Sequence, residues 1–378
     1  MNIAVNTLSV SLRKGGTKTY LVNLIKSLAK VDNKNTYFLI VSLRNKTLFQ
    51  KLGEKFKIIA LPFQSDNRLL RLFYEQFVFP YYVRKHNISV LFSPNNIASL
   101  FPHCKQVLTF HAPLMIRKLR KQYAPKEVSK LQAMFYDLKL ALSVSCSNRI
   151  IVVSENIKQW LLQQVNIPAS KLNVIYEGVD CELFQSANNA KTSSIKQPYI
   201  LFLSTLFRYK NAENLIQAFS KLKKTYKIPH ILIIVGKDPK KQIGYLKQLA
   251  KSEGIFDNVI FTGAVSYDKV NSLYLNSDIF VFPSAVETFG LPVLEAMACG
   301  TPVVASNRTS VPEIVGDAGV IVNPDDIDEL AEAILRVLSD KELQRSLIQK
   351  GYRRAKQFSW DKTARKTLEV FEEVFKED

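Results

Sequence analysis

Cysteines are few in this chain, and long apolar runs are missing altogether. The 378 residues include four cysteines, whose separations fit neither a metal-ligand motif nor a disulfide framework. No run of about 18 apolar residues occurs, as a membrane-spanning helix would need, and the first residues, MNIAVNTLSV, carry no basic leader. We therefore expect a cytoplasmic protein with reduced thiols that is neither secreted nor membrane-spanning.

Acidic residues are scarce in the first half of the chain. Residues 1–184 contain 26 Lys and Arg against 10 Asp and Glu, a net charge of +16, whereas residues 185–378 contain 26 against 23, a net charge of +3. A basic half of this kind attracts nucleic acid, anionic lipid or anionic small molecules without distinguishing among them. Residues 68–86 and 114–121 mix basic with apolar side chains. Aromatic residues at helical spacing in the first stretch are more typical of a core, so the second stretch is the better candidate for an anionic membrane surface.

The length favours two domains, because a single core rarely keeps growing through a chain of this size. Residues 185–197, QSANNAKTSSIKQ, are polar and small and are typical of a linker. The predicted domains are therefore 1–184 and 198–360. In residues 361–378 the spacing of Ala364, Leu368, Phe371 and Phe375 predicts a final helix with one apolar stripe. Apolar runs that alternate with helical periodicity predict parallel sheets in both domains. The predicted strands are 3–5, 37–41, 90–92, 106–109, 150–153, 174–176, 200–203, 231–235, 259–262, 279–282 and 302–305.

The most informative segment, 285–300, places two carboxylates eight residues apart. A proline and a glycine bracket a helix predicted over about 292–298, with Glu287 in the loop before it and Glu295 in its first turn. Free amides at the start of such a helix favour a phosphate group, and Glu295 would reach diol hydroxyls beside it. These amides are expected at Phe289, Gly290 and Leu291.

The wider run from Asn276 to Ala305, NSDIFVFPSAVETFGLPVLEAMACGTPVVA, resembles the E-x7-E signature of the retaining GT-B-fold glycosyltransferases, the large glycosyltransferase family 4 or group 1. The resemblance implies an α/β fold of two Rossmann-like domains facing each other across a cleft, with the final helix crossing back onto the N-terminal domain. It also implies that Glu287 contacts the hydroxyls of the donor sugar and Glu295 the ribose of the nucleotide. The alternative is a surface glutamate and a capping glutamate in an ordinary α/β domain.

Two further loops match the same family. Gly15 and Gly16 match a Gly-Gly loop that lies against the donor phosphates and the acceptor, although such a pair alone is more often a turn. Lys210 and the following asparagine match a segment whose Arg and Lys neutralise the diphosphate leaving group. The family's arginine is replaced by Thr205 here, which makes Arg208 the candidate second cation.

Other positions carry weaker signals. His111 follows a predicted strand, where similar proteins often have a histidine beside the donor sugar, although a lone histidine is usually structural. Gly236 ends a strand at which a nucleotide base and ribose would pack. Glu177 departs from the asparagine of the family's Asn-Gly-Val-Asp segment, and we interpret this segment as a hinge first and a ligand contact second. The triplet 326–328 resembles a D-x-D metal motif, but its place at a helix start favours capping.

The resemblance implies a retaining hexosyltransferase that moves a mannose- or glucose-type sugar to a glycan or lipid-linked acceptor. The implied donor is GDP-mannose or a UDP-hexose, and the implied process is synthesis of a bacterial surface polysaccharide or glycolipid. We expect no cofactor besides the donor substrate, no metal and no nucleic-acid partner, with the protein cytoplasmic or peripheral on the inner face of the plasma membrane. Two alternatives stay open: a glycoside hydrolase using Glu287 and Glu295, and a basic nucleic-acid-binding protein that lacks a recognisable module.

Overall fold

A computed structural model describes residues 1–8, 16–50, 52–62, 67–94, 96–123, 128–186 and 195–377. The chain divides into two compact units. The N-terminal unit contains Met1–Arg120, Val128–Gly178 and Ser359–Asp378, and the C-terminal unit contains Lys121–Glu127 and Val179–Phe358. The division thus falls after Gly178 rather than at the expected 184. Gly15 and most of the predicted linker lie outside the described residues.

Thirteen strands form two parallel sheets in the described part of the chain. Eleven of them overlap the predicted strands, and the two that were not predicted, β3 and β13, are edge strands. The strands are β1 (Asn2–Asn6), β2 (Thr36–Ser42), β3 (Phe56–Leu61), β4 (Val90–Ser93), β5 (Lys105–Phe110), β6 (Arg149–Val152), β7 (Leu172–Val174), β8 (Tyr199–Leu203), β9 (Ile231–Val235), β10 (Val259–Gly263), β11 (Ile279–Phe282), β12 (Val303–Ser306) and β13 (Val320–Val322).

Helices cover these sheets, and three of them begin at serine caps, Ser129, Ser154 and Ser359, whose hydroxyls accept from backbone amides of the first turn. They are α1 (Gly16–Val31), α2 (Arg68–Phe73), α3 (Phe79–Lys85), α4 (Arg117–Tyr123), α5 (Lys130–Cys146), α6 (Glu155–Gln164), α7 (Cys181–Ser186), α8 (Ala212–Thr225), α9 (Gln242–Ser252), α10 (Tyr267–Leu275), α11 (Leu291–Ala298), α12 (Val311–Val315), α13 (Ile327–Ser339), α14 (Lys341–Lys356) and α15 (Trp360–Lys376). A π-helical turn, Tyr74–Val78, joins α2 to α3.

Each sheet is doubly wound: the chain first adds strands toward one edge, then returns to the middle and adds strands toward the other edge. The order is β3-β2-β1-β4-β5-β6-β7 in the N-terminal unit and β10-β9-β8-β11-β12-β13 in the C-terminal unit. Central strands such as β4, β9 and β11 are buried throughout, as near-continuous apolar runs in parallel sheets require. The predicted fold class, two Rossmann-like α/β domains, is confirmed. Ligands in such sheets bind beyond the carboxyl ends of the strands at the reversal, which lies between β8 and β11 in the C-terminal unit.

The final helix, α15, packs within the N-terminal unit. Its Phe371 ring meets Phe92 of β4 with centroids 5.1 Å apart, and the Thr363 hydroxyl donates a hydrogen bond to the Tyr176 carbonyl oxygen at 2.8 Å. The predicted apolar stripe is wrong at its last member, because Phe375 is 51% exposed. The buried face instead runs through Val370, Phe371 and Val374.

The stretch 114–121 is not an exposed apolar surface, so the expectation that it is the better membrane candidate is wrong. Its apolar members Met115, Ile116 and Leu119 are all buried. Arg120 is buried as well, and its guanidinium donates to the Leu114 carbonyl oxygen at 2.8 Å and to Asp137 at 2.9 Å. The stretch therefore packs into the unit through its apolar side chains.

No helix among the described residues has the length and apolar character that crossing a bilayer requires.

Candidate functional site

An ion pair between Lys210 and Glu287 lies at the carboxyl ends of two neighbouring strands of the C-terminal unit. The Lys210 ammonium is 2.5 Å from the Glu287 carboxylate, and the two side chains are 11% and 14% exposed. Lys210 belongs to the loop after β8 and Glu287 to the loop after β11. A backbone hydrogen bond of 2.8 Å, from the Ala285 amide to the Tyr209 carbonyl oxygen, ties the two loops together. The pair therefore sits where the order of the sheet reverses, which is the expected ligand position for this architecture.

The loop after β8 gives Lys210 its position. Arg208–Lys210 form a single 3-10 turn that ends at Asn211, whose φ of 55° is in the left-handed region. Asparagine adopts this conformation more readily than most residues, which explains why an asparagine follows the lysine here. The Lys210 ammonium also lies 5.1 Å from the centroid of the Tyr209 ring and 5.9 Å from that of Phe282. Aromatic faces therefore line the cation in addition to the carboxylate.

Two residues that the sequence analysis missed hold the loop carrying Glu287. The Glu287 amide donates to the Thr309 hydroxyl at 3.0 Å. The buried Ser310 hydroxyl donates to the carbonyl oxygens of Glu287 at 3.0 Å and of Phe289 at 3.1 Å. Both residues follow β12, the strand next to β11. Their place after a predicted strand is the sequence signal that could have drawn attention to them.

Helix α11 begins one residue earlier than expected. Gly290 precedes it with a φ of 112°, a value that side chains rarely allow, and Leu291 is its first residue. Phe289 is 1% exposed and its ring meets Phe358 at a centroid distance of 5.9 Å. Only the backbone of Phe289 is therefore a candidate ligand contact, as the prediction of a phosphate at the helix start requires.

Glu295 lies in the second turn of α11, so its predicted place in the first turn is wrong. The side chain is 5% exposed, and the buried Tyr274 hydroxyl donates to its carboxylate at 3.2 Å. Burial, followed by the negative charge of Glu295, raises the pKa of the neighbouring Cys299. The Tyr274 contact gives Glu295 a packing role alongside the predicted ribose contact.

Arg208 is exposed, in the turn that ends at Lys210. Its charge acts on Tyr245 of α9, whose hydroxyl donates to Glu213 at 2.5 Å. The hydrogen bond to Glu213 raises the pKa of Tyr245, while Arg208 opposes that rise. The predicted role of Arg208 as a second phosphate cation stays a prediction.

Two glycines lie where another backbone segment comes too close to leave room for a side chain. A Cβ on Gly236 would lie 1.7 Å from the Ser204 carbonyl oxygen, so glycine lets the β8 loop pass the end of β9. A Cβ on Gly178 would lie 2.2 Å from the Trp360 amide nitrogen. Packing therefore explains both glycines, and the predicted nucleotide contact of Gly236 stays a prediction. Gly16 is the exposed first residue of α1.

His111 and Glu177 meet in the N-terminal unit. His111 Nδ1 is 3.2 Å from Glu177 Oε1, and each side chain is 8% exposed. The His111 amide donates to the Asn96 side-chain oxygen, and the Tyr20 ring packs edge-on at a centroid distance of 4.3 Å. His111 Nε2 is buried and has no hydrogen-bond partner in the described part of the chain. The histidine is thus oriented by a carboxylate on one side, with one nitrogen left for another partner.

The D-x-D triplet caps a helix, as expected. The Asp326 carboxylate accepts from the amides of Asp328 and Glu329, both at 3.0 Å, at the start of α13. Across the described residues, no three His, Cys, Asp or Glu side chains are grouped as metal ligands would be. The prediction that this triplet serves capping is confirmed.

Comparison with known proteins gives matches to both halves of the chain. Residues 14–183 match the family model of Glycosyltransferase Family 4, and residues 185–354 match that of Glycosyl transferases group 1. O-antigen chain mannosyltransferase B of Escherichia coli is 30% identical over 262 residues, which cover 66% of this chain and 66% of that protein. O-antigen chain mannosyltransferase RfbU of Salmonella typhimurium is 26% identical over 86% of this chain and 91% of its own. The match takes in only 30% of the serotype-specific mannosyltransferase WbdA of Escherichia coli.

Solved structures share the fold over nearly the whole chain. Sucrose-phosphate synthase from Thermosynechococcus elongatus has a TM-score of 0.80 at 20% identity, with 99% of both chains covered. Anabaena HepE, solved in complex with UDP-glucose, has a TM-score of 0.75 at 19% identity, covering 99% of this chain and 100% of its own. With both family models matched, and with the two parallel sheets of the fold, this chain belongs to the GT-B glycosyltransferases of family 4, group 1.

Proposed function

We propose that this protein transfers a hexose from a nucleotide-sugar donor to a glycan or lipid-linked acceptor, with retention of anomeric configuration, in bacterial cell-surface polysaccharide or glycolipid synthesis. The C-terminal unit binds the donor and the basic N-terminal unit binds the acceptor. Donor and acceptor are the only small molecules that the reaction needs under this proposal, and no metal ion takes part.

The observation that carries the proposal is the Lys210–Glu287 pair at the sheet reversal. Departure of a nucleoside diphosphate develops negative charge, and a fixed ammonium group stabilises it best in a site largely closed to water. Without a ligand, the Lys210 ammonium and the Glu287 carboxylate neutralise each other's charge. A diphosphate that binds Lys210 takes over this role and leaves the Glu287 carboxylate to accept hydrogen bonds from sugar hydroxyls. Arg208 supplies a second cation.

The relatives favour mannose as the sugar to test first. Two of them are named as O-antigen chain mannosyltransferases, and they match this chain at 30% and 26% identity. GDP-mannose is therefore the first donor, and a UDP-hexose is the second because HepE was solved with UDP-glucose. The same names support a growing bacterial glycan, free or lipid-linked, as the acceptor.

Retention follows from attack by the acceptor hydroxyl on the face of the sugar that the diphosphate leaves. The leaving diphosphate takes the proton of that hydroxyl, so no side chain is assigned as a covalent nucleophile. In this scheme Lys210 holds the phosphate oxygens in place and Glu287 holds the sugar, which keeps the reacting atoms aligned.

Incubation of the purified protein with GDP-mannose or UDP-glucose and a bacterial lipid or glycan fraction tests the proposal. We expect nucleoside diphosphate release that depends on the acceptor, and a new glycosidic linkage whose anomeric proton coupling shows retention. Cleavage of a simple aryl glycoside in the absence of any nucleotide would instead favour the glycoside hydrolase.

A further inference from the structure

Helix α5 turns an apolar face toward solvent. Five large apolar side chains on this helix are between 40% and 72% exposed. Their spacing places them on one side of the helix, opposite the buried Leu140, Ser143 and Val144. An ordinary surface helix has polar side chains in that outward position. The five exposed residues are Leu131, Met134, Phe135, Leu138 and Leu142.

The segment from α2 through the π-helical turn to α3 repeats this arrangement. Its buried side carries Phe79 and Val83, while four large side chains on the outward side are between 38% and 68% exposed. The Phe73 and Phe77 rings pack on each other with centroids 5.3 Å apart. The four outward residues are Leu70, Phe73, Phe77 and Tyr81. The expectation that the aromatic residues of 68–86 belong to a core is therefore right for Phe79 and wrong for Phe73, Phe77 and Tyr81.

The two helical segments lie on either side of one loop residue, Ala98. Its amide donates to the Ser143 hydroxyl of α5 at 3.2 Å, and its carbonyl oxygen accepts from the Gln76 side chain of the π-helical turn at 3.3 Å. We call the nine outward side chains of the two segments the apolar face. Exposed apolar side chains in such number mark an interaction site on many soluble proteins.

Basic residues outnumber acidic ones in the part of the chain that carries the apolar face. Residues 68–146 contain 12 Lys and Arg against 3 Asp and Glu. Glu75 is buried beside Arg71 at 3.8 Å, Asp137 is bound by two arginines, and Glu127 lies outside the described residues. The Lys139 ammonium lies 4.2 Å from the centroid of the Phe135 ring, and Lys85 lies 5.8 Å from that of Tyr81.

We propose that the apolar face, with Lys85, Lys130 and Lys139 at its margin, docks the N-terminal unit on an anionic lipid bilayer. Apolar side chains on helices that lie along the bilayer enter the boundary between headgroups and acyl chains, while lysines extend their ammonium groups to anionic headgroups. A second copy of this chain fits less well, because two basic surfaces would face each other. The proposal holds whichever donor and acceptor the enzyme uses.

Flotation with lipid vesicles tests this proposal on the full chain without any sugar substrate. Vesicles of phosphatidylglycerol with phosphatidylcholine are compared with phosphatidylcholine alone, at low and high salt. The variant Met134→Ser with Leu138→Ser removes two outward side chains, and Phe375→Ser is the matched control because Phe375 is 51% exposed on α15. Circular dichroism checks that all three proteins are folded.

We expect binding to the anionic vesicles that weakens at high salt, since exposed charges are screened. The double variant should bind at least about tenfold more weakly, because two apolar side chains no longer leave water, while Phe375→Ser binds as the parent does. No binding to anionic vesicles at low salt, or binding that the double variant leaves unchanged, overturns the proposal. The proposal is also overturned if the parent protein does not bind vesicles and forms a dimer in solution that the double variant disrupts.

Discussion

His111 Nδ1 lies 3.2 Å from the carboxylate of Glu177, and both side chains are nearly buried. A carboxylate accepts hydrogen bonds, so this contact keeps the proton on Nδ1 and leaves Nε2 as the nitrogen available to a ligand. Nε2 has no partner among the described residues. Glu177 is thus a positioning residue for His111, at a place where the resembled family usually has asparagine.

Replacing Glu177 by Gln should change the histidine rather than the fold. An amide can either donate to or accept from Nδ1, so the ring loses its fixed tautomer. Hydrogen bonds to charged groups are worth about 1.5–3 kcal/mol, which corresponds to roughly 10- to 150-fold lower turnover. Nitrogen NMR of the His111 ring should show mixed tautomers in the variant. Glu369→Gln, at an exposed position of α15, is the control. An equal loss of turnover in the two variants would argue against this role of Glu177.

Glu287→Gln should nearly abolish transfer and leave the protein folded. The Glu287 carboxylate lies in the loop after β11 with 14% of its side chain exposed and pairs with Lys210, so it is not part of the apolar core. Loss of a transition-state contact of this kind costs about 2.7–4 kcal/mol, or roughly 10²–10³ in rate. Steady-state assays would be paired with melting curves and with Glu332→Gln, an exposed change on α13. Turnover near that of the parent protein in a folded Glu287→Gln variant would remove Glu287 from the reaction.

Lys210→Ala should weaken the binding of a nucleoside diphosphate more than that of the nucleoside. The reason is that the ammonium is assigned to phosphate and not to the base. Isothermal calorimetry with both ligands separates these effects, and Lys240→Ala serves as an exposed lysine control. If both ligands lose affinity equally, Lys210 supports the fold or the base pocket. The same measurement on Arg208→Ala shows whether Arg208 replaces the arginine missing at position 205.

Gly236→Ala should destabilise the C-terminal unit because the new Cβ would meet the Ser204 carbonyl oxygen at 1.7 Å. Overpacking of this kind costs about 1–3 kcal/mol of unfolding free energy. Gly244→Ala is the matched control, since nothing lies within 4 Å of a Cβ at that position of α9. There the substitution should stabilise by up to about 1 kcal/mol, as alanine favours a helix. Urea denaturation measures both, and equal midpoints for the two variants would contradict the packing account.

The sequence predicted those elements whose bounds or burial are set by residues within the element itself. The proline and glycine around α11 predicted its bounds to within one residue, and the apolar strands of both sheet centres were recognised because they are buried on both faces. The edge strands β3 and β13 were missed. Both are only partly buried, but so are the edge strands β7 and β10, which were predicted, so partial burial alone does not account for the omission.

The remaining errors concern contacts that are distant in sequence. Thr309 and Ser310 bond to the Glu287 loop more than 20 residues away, and no local pattern announces that pairing. Tyr274, which lies 21 residues before Glu295 and bonds to it, belongs to the same class. The sequence also did not predict that the apolar stripe of α5 faces solvent. Apolar spacing defines one face of a helix, but it does not say whether that face meets the core or solvent.

The central claim, that this glycosyltransferase takes a nucleotide-activated sugar as donor, is tested most directly by melting temperature in a panel of UDP-, GDP-, ADP- and TDP-sugars. A ligand at about 100 times its dissociation constant adds about 2.7 kcal/mol of stability to the folded protein. We predict a clear rise with one base, GDP-mannose first and UDP-hexoses second, and a smaller rise in the Lys210→Ala variant. An unchanged melting temperature across the whole panel, at saturating concentrations of every donor, would contradict the account.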